Sequence, residues 1–153
     1  MIGALLYAMR PWSWTASLIS VLISHSLTAS GSFFTPVLLR YILIGVSIQC
    51  VGNLVNTYFD FKLGCDTKKM KGGDRALVDG TIPAATILPT ALALTALATW
   101  LSLPIFETAE FSKNIFGVGM LLTYGYTCPP FKLKYRALGD VVIVTCFGKY
   151  RLQ

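Results

Sequence analysis

Polar side chains recur at helical spacing in the second apolar run of the chain. Gln49, Asn53, Asn56 and Asp60 fall at offsets 0, 4, 7 and 11, which places all four on one face of a helix. We call these four residues the polar stripe. Amides and a carboxylate within an apolar segment cost free energy unless they face a partner or a wet cavity. The stripe is therefore a candidate functional site; the structural alternative is that its amides bridge neighbouring helices.

Acidic and basic residues alternate in the segment that follows the stripe. Asp60 and Asp66 offer carboxylates, which suit Mg²⁺, a hard cation that takes one or two protein carboxylates and leaves room for phosphate oxygens. Lys68 and Arg75 lie close by in the sequence and can hold phosphate charge, the arginine through a bidentate fork. The alternative for the lysines of this segment is a membrane anchor beside anionic lipid.

The composition indicates the kind of chain that carries these residues. Of its 153 residues, 54% are hydrophobic and 13% are charged, against about 25% charged in ordinary soluble domains. This composition excludes a disordered chain. The 13 basic residues cluster between apolar runs, not along a phosphate-tracking stripe, so no nucleic acid is expected as a partner. Four cysteines without a CxxC pair and a single histidine argue against a zinc or disulfide framework.

Four apolar runs are long enough to be transmembrane helices, which need about 20 residues. They cover Pro11–Ser30, Pro36–Val55, Pro83–Leu103 and Phe111–Cys128. A fifth run, residues 141–148, is too short to cross a ~30 Å hydrocarbon core at ~1.5 Å rise per residue. We predict an all-α, multi-pass transmembrane bundle with four full spans and the start of a fifth.

Basic residues outside the spans predict the orientation of the bundle. With four spans, nine lysines and arginines fall on the side of the N-terminus, the second loop and the segment after residue 130, and two, Arg40 and Lys113, fall on the other. Cytoplasmic loops retain lysine and arginine. The segment after the stripe, residues 61–79, is therefore predicted to face the cytoplasm. We call it the acidic segment.

Several segments resemble the UbiA superfamily of intramembrane prenyltransferases. Asn53-Leu-Val-Asn56-Thr-Tyr-Phe-Asp60, continued by residues 64–66 and 74–79, resembles its first aspartate-rich motif. The segments 10–13 and 133–140 are also similar to that family, and the closest likeness is to an animal branch related to bacterial menaquinone-pathway enzymes. The Asn-Asp pair that commonly opens the motif is Asn56-Thr57 here, so Asp60 becomes its first acidic ligand.

The resemblance implies a fold and a domain organisation. Family members have nine transmembrane helices in two similar halves, with a second aspartate-rich motif after the sixth helix. Residues 1–148 are then the N-terminal half of a UbiA-type domain, and residues 149–153 are a divergent tail. The sequence ends before the second motif, so half of the implied magnesium and diphosphate site is expected to lie outside it.

The resemblance also implies a reaction, in which a prenyl group moves from a geranylgeranyl-type diphosphate to an aromatic naphthoquinol-type acceptor, as in menaquinone (vitamin K2) biosynthesis. Mg²⁺ is the implied cofactor. The implied roles are catalytic for Asn56, Tyr58 and Asp60, diphosphate binding for Asn53, Lys68, Arg75 and Lys134, and metal binding for Asp60 and Asp66. Tyr58, or Tyr124 and Tyr126 of the fourth span, would stabilise the developing allylic cation through their rings.

The chain by itself is expected to be inactive if both halves are needed. The alternative function is a non-catalytic membrane protein that binds or regulates full-length partners as a homo- or hetero-oligomer. The resemblance points to the endoplasmic reticulum or Golgi, with the mitochondrion as the other organelle.

Overall fold

The computed structural model describes residues 2–28, 33–67, 75–108, 110–136, 138–139 and 141. Every regular element in this part of the chain is helical, which confirms the all-α prediction there. The α-helices are α1 (Ile2–Ala8), α2 (Trp14–Thr28), α3 (Pro36–Lys62), α4 (Ala84–Thr108) and α5 (Glu110–Gly125). Two 3₁₀ helices cover Pro11–Ser13 and Leu133–Arg136. Residues 142–153, with most of the fifth run and the predicted tail, lie outside the described residues.

Helix α3 carries the whole polar stripe. It begins at Pro36, and the side chain of Thr35 caps it by accepting a hydrogen bond from the Leu38 N–H at 3.1 Å. We predicted an end at Val55, but no helix-breaking residue follows until Gly64, which has a φ of +72°. Two further turns therefore remain helical, and Asn56 and Asp60 continue the face begun by Gln49. At ~1.5 Å per residue the 27 residues extend about 40 Å.

The other helix boundaries also differ slightly from the predicted spans. Residues Pro11–Ser13 form a 3₁₀ turn, so α2 begins at Trp14. Helix α4 continues past Leu103 to Thr108 with Pro104 inside it, because a proline removes only one helical hydrogen bond and need not end a long helix. Helix α5 ends at Gly125, three residues before the predicted Cys128.

The core lies on one side of α3. Val51, Leu54 and Val55 of α3 pack with Ile87 and Ala91 of α4. Ala8 of α1 completes this cluster together with Ala76, Leu77 and Ile82 of the loop between α3 and α4. The loop is held closed by Thr81, whose N–H and hydroxyl both donate to the carbonyl of Ala76 at 2.9 Å. Packing here fixes α3 against α4 and leaves its polar face toward α2 and α5.

Among the residues that the structure describes, two helices, α3 and α4, are long and apolar enough to cross a membrane. Helices α2 and α5 have 15 and 16 residues, fewer than the roughly 20 that a span needs, so the count of four spans stays a prediction. Large apolar side chains such as Leu39, Leu92, Trp100 and Leu121 are exposed on the outside of the bundle. An exposed apolar surface of this kind is typical of a protein that contacts membrane or another protein.

Candidate functional site

Asp60 is buried near the C-terminal end of α3, with 4% of its surface exposed. Its Oδ2 accepts a hydrogen bond from the Lys134 ammonium at 2.7 Å, and its Oδ1 accepts one from the Tyr135 hydroxyl. Both donors belong to the 3₁₀ helix Leu133–Arg136. A short helix distant in sequence therefore supplies a cation and a hydroxyl to the carboxylate of the stripe.

Asn56, one turn earlier on α3, shares the same cation. Its Oδ1 accepts a hydrogen bond from Lys134 Nζ at 3.0 Å. The Lys134 backbone is fixed as well, because its N–H donates to the carbonyl of Tyr126 at 2.8 Å. We call Asn56, Asp60, Lys134 and Tyr135 the Asp60 cluster. The Asp60 side chain is 6% exposed and that of Lys134 is 34% exposed, so the cation is the accessible member of the pair.

The environment of Tyr135 keeps its phenol protonated. Desolvation by burial raises the pKa of Tyr135, and the hydrogen bond and negative charge of Asp60 raise that pKa further. The phenol therefore remains a hydrogen-bond donor to Asp60 throughout the neutral pH range.

The first half of the polar stripe contacts α2 and the turn before it. Asn53 Nδ2 donates to the carbonyl of Met9 and to Ser13 Oγ, both at 2.8 Å. Gln49 Nε2 donates to Ser13 Oγ at 3.4 Å, and Ser17 Oγ donates to Gln49 Oε1 at 3.2 Å. Gln49 and Asn53 therefore bridge helices, as the structural alternative for the stripe expects. Asn56 and Asp60 instead both accept hydrogen bonds from the Lys134 ammonium.

A cavity of about 1050 Å³ lies along the polar face of α3, between α2 and α5. Its lining on α3 runs from Tyr41 to Asn56, a length of ~22 Å at ~1.5 Å per residue. Arg10, Asn53, Asn56 and Lys134 line the end near the Asp60 cluster, and Ile44, Ile105 and Phe106 contribute apolar lining. The arrangement can accept a long apolar molecule with an anionic head group.

Two of the predicted catalytic residues do not line this cavity. Asp60 lies behind Lys134, because Lys134 and Asn56 are in the cavity wall and Asp60 is not. Tyr58 is two residues from Asn56, about 200° around the helix, and packs beside Phe59 with Lys62 Nζ 5.7 Å from its ring centre. Tyr126 does line the cavity, so the structure brings a different tyrosine to the wall.

The described residues of the acidic segment make few contacts with the Asp60 cluster. The Arg75 guanidinium pairs with Asp79 at 3.0 Å on the surface, and Lys68 lies outside the described residues. The Asp66 N–H donates to the Asp60 carbonyl at 3.3 Å, which brings their backbones together. The predicted phosphate-binding roles of Lys68 and Arg75 stay predictions.

The donor chemistry of Asp60 and Asp66 fits Mg²⁺, since oxygen ligands suit it and one or two carboxylates are enough. Within the described ranges, no group of three or more histidine, cysteine or acidic side chains could hold a metal. Both carboxylate oxygens of Asp60 contact donors of the chain itself. A metal at Asp60 would therefore have to replace at least one of those contacts.

Tyr135, Arg10 and Ser13 are functional candidates that sequence reasoning did not single out. Tyr135 is next to Lys134 in a segment that carries the family resemblance, and this adjacency was the only signal for it. Arg10 and Ser13 precede the first apolar run in a similar segment. Nothing in their spacing predicted that Ser13 would bind Asn53, because that contact joins residues 40 positions apart.

The chain is similar to known proteins over almost its whole length. The UbiA prenyltransferase family matches residues 17–149. The UbiA prenyltransferase domain-containing protein 1 of Dictyostelium discoideum is 37% identical over 97% of this chain and 48% of its own length, and that of Danio rerio is 36% identical over 95% and 44%.

A bacterial enzyme is also similar. The 1,4-dihydroxy-2-naphthoate octaprenyltransferase of Bacillus subtilis is 34% identical over 91% of this chain and 45% of its own length. No solved structure matches significantly. The chain thus spans about half the length of the relatives it matches. The match over residues 17–149 confirms the resemblance seen in the sequence, and the chain belongs to the UbiA prenyltransferase family.

Proposed function

We propose that this chain forms part of a membrane prenyltransferase site that transfers a prenyl group from a prenyl diphosphate to an aromatic, naphthoquinol-type acceptor. The observation that carries the proposal is the long cavity with Lys134 at one end, held there by Asp60 and Asn56. Membership of a prenyltransferase family supports the reaction class. The name of the Bacillus relative supports a dihydroxynaphthoate-like acceptor, and a place in menaquinone biosynthesis is part of the same proposal.

The diphosphate would bind at the cationic end of the cavity. Lys134 offers a rotatable ammonium and Arg10 a planar guanidinium, two groups that recognise phosphate oxygens. The geranylgeranyl-type chain would lie along the wall of α3 toward Ile44 and Phe106. Enclosure by helices would exclude water, which would otherwise hydrolyse the allylic cation.

Asp60 and Asp66 would supply oxygen ligands to Mg²⁺ at this end. The bound ion would neutralise the diphosphate as a Lewis acid and make it a better leaving group. Tyr126, in the cavity wall, is better situated than Tyr58 to face the developing cation, an interaction worth about 0.5 to 2 kcal/mol. The cytoplasmic orientation of this end and location in the endoplasmic reticulum or Golgi are parts of the same proposal.

A chimeric enzyme tests the reaction. Residues 9–149, which include Arg10 and Ser13, replace the corresponding segment of the Bacillus octaprenyltransferase, and prenylation of 1,4-dihydroxy-2-naphthoate is measured in membranes. We expect transfer by the chimera, and a loss of about 10²-fold or more when Lys134→Gln removes the ammonium. Lys113→Gln, on a helix away from the cluster, is the matched control and should keep the activity.

A binding measurement covers the case in which the chimera does not assemble. In the presence of Mg²⁺, the 153-residue chain in nanodiscs should bind radiolabelled geranylgeranyl diphosphate, and Lys134→Gln should weaken this binding about tenfold or more. Absence of binding by the wild-type chain would favour the alternative of a non-catalytic membrane protein.

A further inference from the structure

The Asp60 carboxylate is already occupied by groups of its own chain. Lys134 Nζ contacts one oxygen at 2.7 Å and the Tyr135 hydroxyl contacts the other. We propose that Lys134 and Tyr135 form a latch on Asp60, which opens when a diphosphate takes the Lys134 ammonium and a divalent cation takes its place on the carboxylate. This inference rests on the proposed function and adds an exchange of partners to it.

The unequal burial of the two charges determines which of them moves. Asp60 is fixed on a packed helix with its side chain 6% exposed, whereas the Lys134 side chain is 34% exposed. Lys134 ends in a compact ammonium on a flexible four-carbon stem, and it already lines the cavity. The lysine can therefore turn toward a ligand in the cavity while the carboxylate stays in place.

Charge balance couples the two ligands. A buried carboxylate that loses its cation is strongly disfavoured, so Lys134 leaves Asp60 readily only if another cation arrives. The partly exposed ammonium gains a new anion when a diphosphate enters the cavity. Cation and diphosphate should therefore bind cooperatively, and each should bind weakly alone.

Tyr135 acts as a positioning residue in this exchange. Its hydroxyl holds the second oxygen of Asp60, and it is adjacent to Lys134 on the same four-residue 3₁₀ helix. A static structural pair would have a different signature, since its removal would loosen the fold without creating a better cation site. The affinity of the chain for a cation alone distinguishes these two roles.

The test is a titration with Mn²⁺, a spectroscopic substitute for Mg²⁺, of the 153-residue chain in phosphatidylcholine nanodiscs. Free Mn²⁺ is measured by electron paramagnetic resonance in the absence of diphosphate. We expect weak binding by the wild-type chain and binding about tenfold tighter or more by Lys134→Gln, a coupling of ordinary allosteric size. Asp60→Asn combined with Lys134→Gln should abolish this gain, and Asp60→Asn alone should bind Mn²⁺ no more tightly than the wild-type chain.

Lys132→Gln is the matched control for charge. It removes one positive charge two residues from Lys134, and Lys132 has no contact with Asp60 among the described residues. Because the charge that is lost makes no ion pair with Asp60 and is screened by solvent, the Mn²⁺ affinity should change by less than about twofold. Tyr135→Phe removes the hydroxyl without changing charge and should raise Mn²⁺ affinity by about two- to fivefold.

The outcomes separate the latch from the proposed function. If Lys134→Gln binds Mn²⁺ no more tightly than Lys132→Gln, the latch is overturned, while binding of geranylgeranyl diphosphate by the wild-type chain would leave the proposed function standing. If no variant binds Mn²⁺ and the wild-type chain binds no geranylgeranyl diphosphate, both are overturned. Should Lys134→Gln fail to fold, Tyr135→Phe decides alone: a gain supports the latch, and no gain overturns it.

Discussion

Asn53 and Asn56 are both amides on the same face of α3, yet they have different partners. Asn53 donates to Met9 and Ser13, so it joins α3 to the turn before α2. Asn56 accepts from Lys134, so it helps to hold a cation in the cavity wall. One helical turn therefore separates a side chain that supports the fold from one that supports the site.

This difference predicts opposite effects for two alanine substitutions. Asn53→Ala leaves Ser13 and the Met9 carbonyl without their amide donor and should lower the free energy of unfolding by about 1 to 3 kcal/mol. Asn56→Ala should cost less than about 1 kcal/mol, because Lys134 keeps Asp60, and should instead weaken binding of geranylgeranyl diphosphate. Thermal unfolding in detergent and ligand binding measure the two effects, and equal destabilisation by both variants would contradict the assignment.

Asp60→Asn tests the charge of the cluster with its shape preserved. The amide can still meet Tyr135, so we expect a fold that remains intact and inserted, with a stability loss of about 1 to 3 kcal/mol, reduced by the partial exposure of Lys134. Prenyl transfer by the chimera should be lost even at saturating Mg²⁺. Near-normal turnover would make Asp60 a packing residue.

At the scale of elements, α3 organises the molecule because it contacts α1, α2, α4 and α5. Its apolar side forms the core with α4, and its polar side faces the cavity. The segment after α5 returns to the end of α3 through Lys134 and Tyr135. Because Tyr126 and Lys134 line the cavity, the position of that segment determines the shape of the cationic end.

Alanine substitutions at two glycines test the importance of this shape. A methyl group at Gly139 would lie 3.2 Å from the Tyr126 hydroxyl oxygen, whereas one at Gly117 would meet nothing within 4 Å outside its own helix backbone. Gly139→Ala should shift Tyr126 by a few tenths of an ångström, cost about 1 kcal/mol or more and weaken prenyl diphosphate binding. Gly117→Ala, the control, lies outside the cavity lining and should be neutral or stabilise α5 by about 0.5 to 1 kcal/mol. Equal binding by the two variants would show that Tyr126 tolerates the shift.

At the scale of the whole molecule, the basic loops predict the orientation in the membrane. Cys65 is exposed within the acidic segment, Cys128 is half-buried and Cys50 is buried in α3. In a variant with Cys128→Ser and Cys146→Ser, a membrane-impermeant thiol reagent should label Cys65 only from the cytoplasmic side, with Cys50 unlabelled from either side. Labelling of Cys65 from the lumenal side of intact vesicles would invert the topology.

The 153-residue chain by itself should bind a prenyl diphosphate but not transfer it. The proposed cation site rests on Asp60 and Asp66 alone, and loss of even a single preorganised donor in an active site costs about 2.7 to 4 kcal/mol, or 10²- to 10³-fold in rate. Mg²⁺, geranylgeranyl diphosphate and a naphthohydroquinone are supplied to the chain in nanodiscs. Turnover within about tenfold of the full-length Bacillus relative would refute this prediction.

The sequence by itself indicated helices α2 to α5, the shared face of the polar stripe and the family, whereas α1 and the two 3₁₀ helices were not predicted. The helices and their shared face depend on hydrophobicity and on a 3.6-residue period, which act within one segment, and the family depends on short motifs. The end of α3 was predicted too early, because amides and a carboxylate were taken to leave the apolar run, although their backbone stays helical until Gly64.

Only the tertiary structure decided which side chains meet. Lys134 and Tyr135 reach Asp60 from 74 and 75 residues away, and Ser13 reaches Asn53 from 40. Such contacts depend on how α2 and α5 pack around α3 and on the turns that return the chain, and no local pattern encodes these. For the same reason the sequence could suggest both Tyr58 and Tyr126, but only packing placed Tyr126 in the cavity wall and turned Tyr58 toward Phe59.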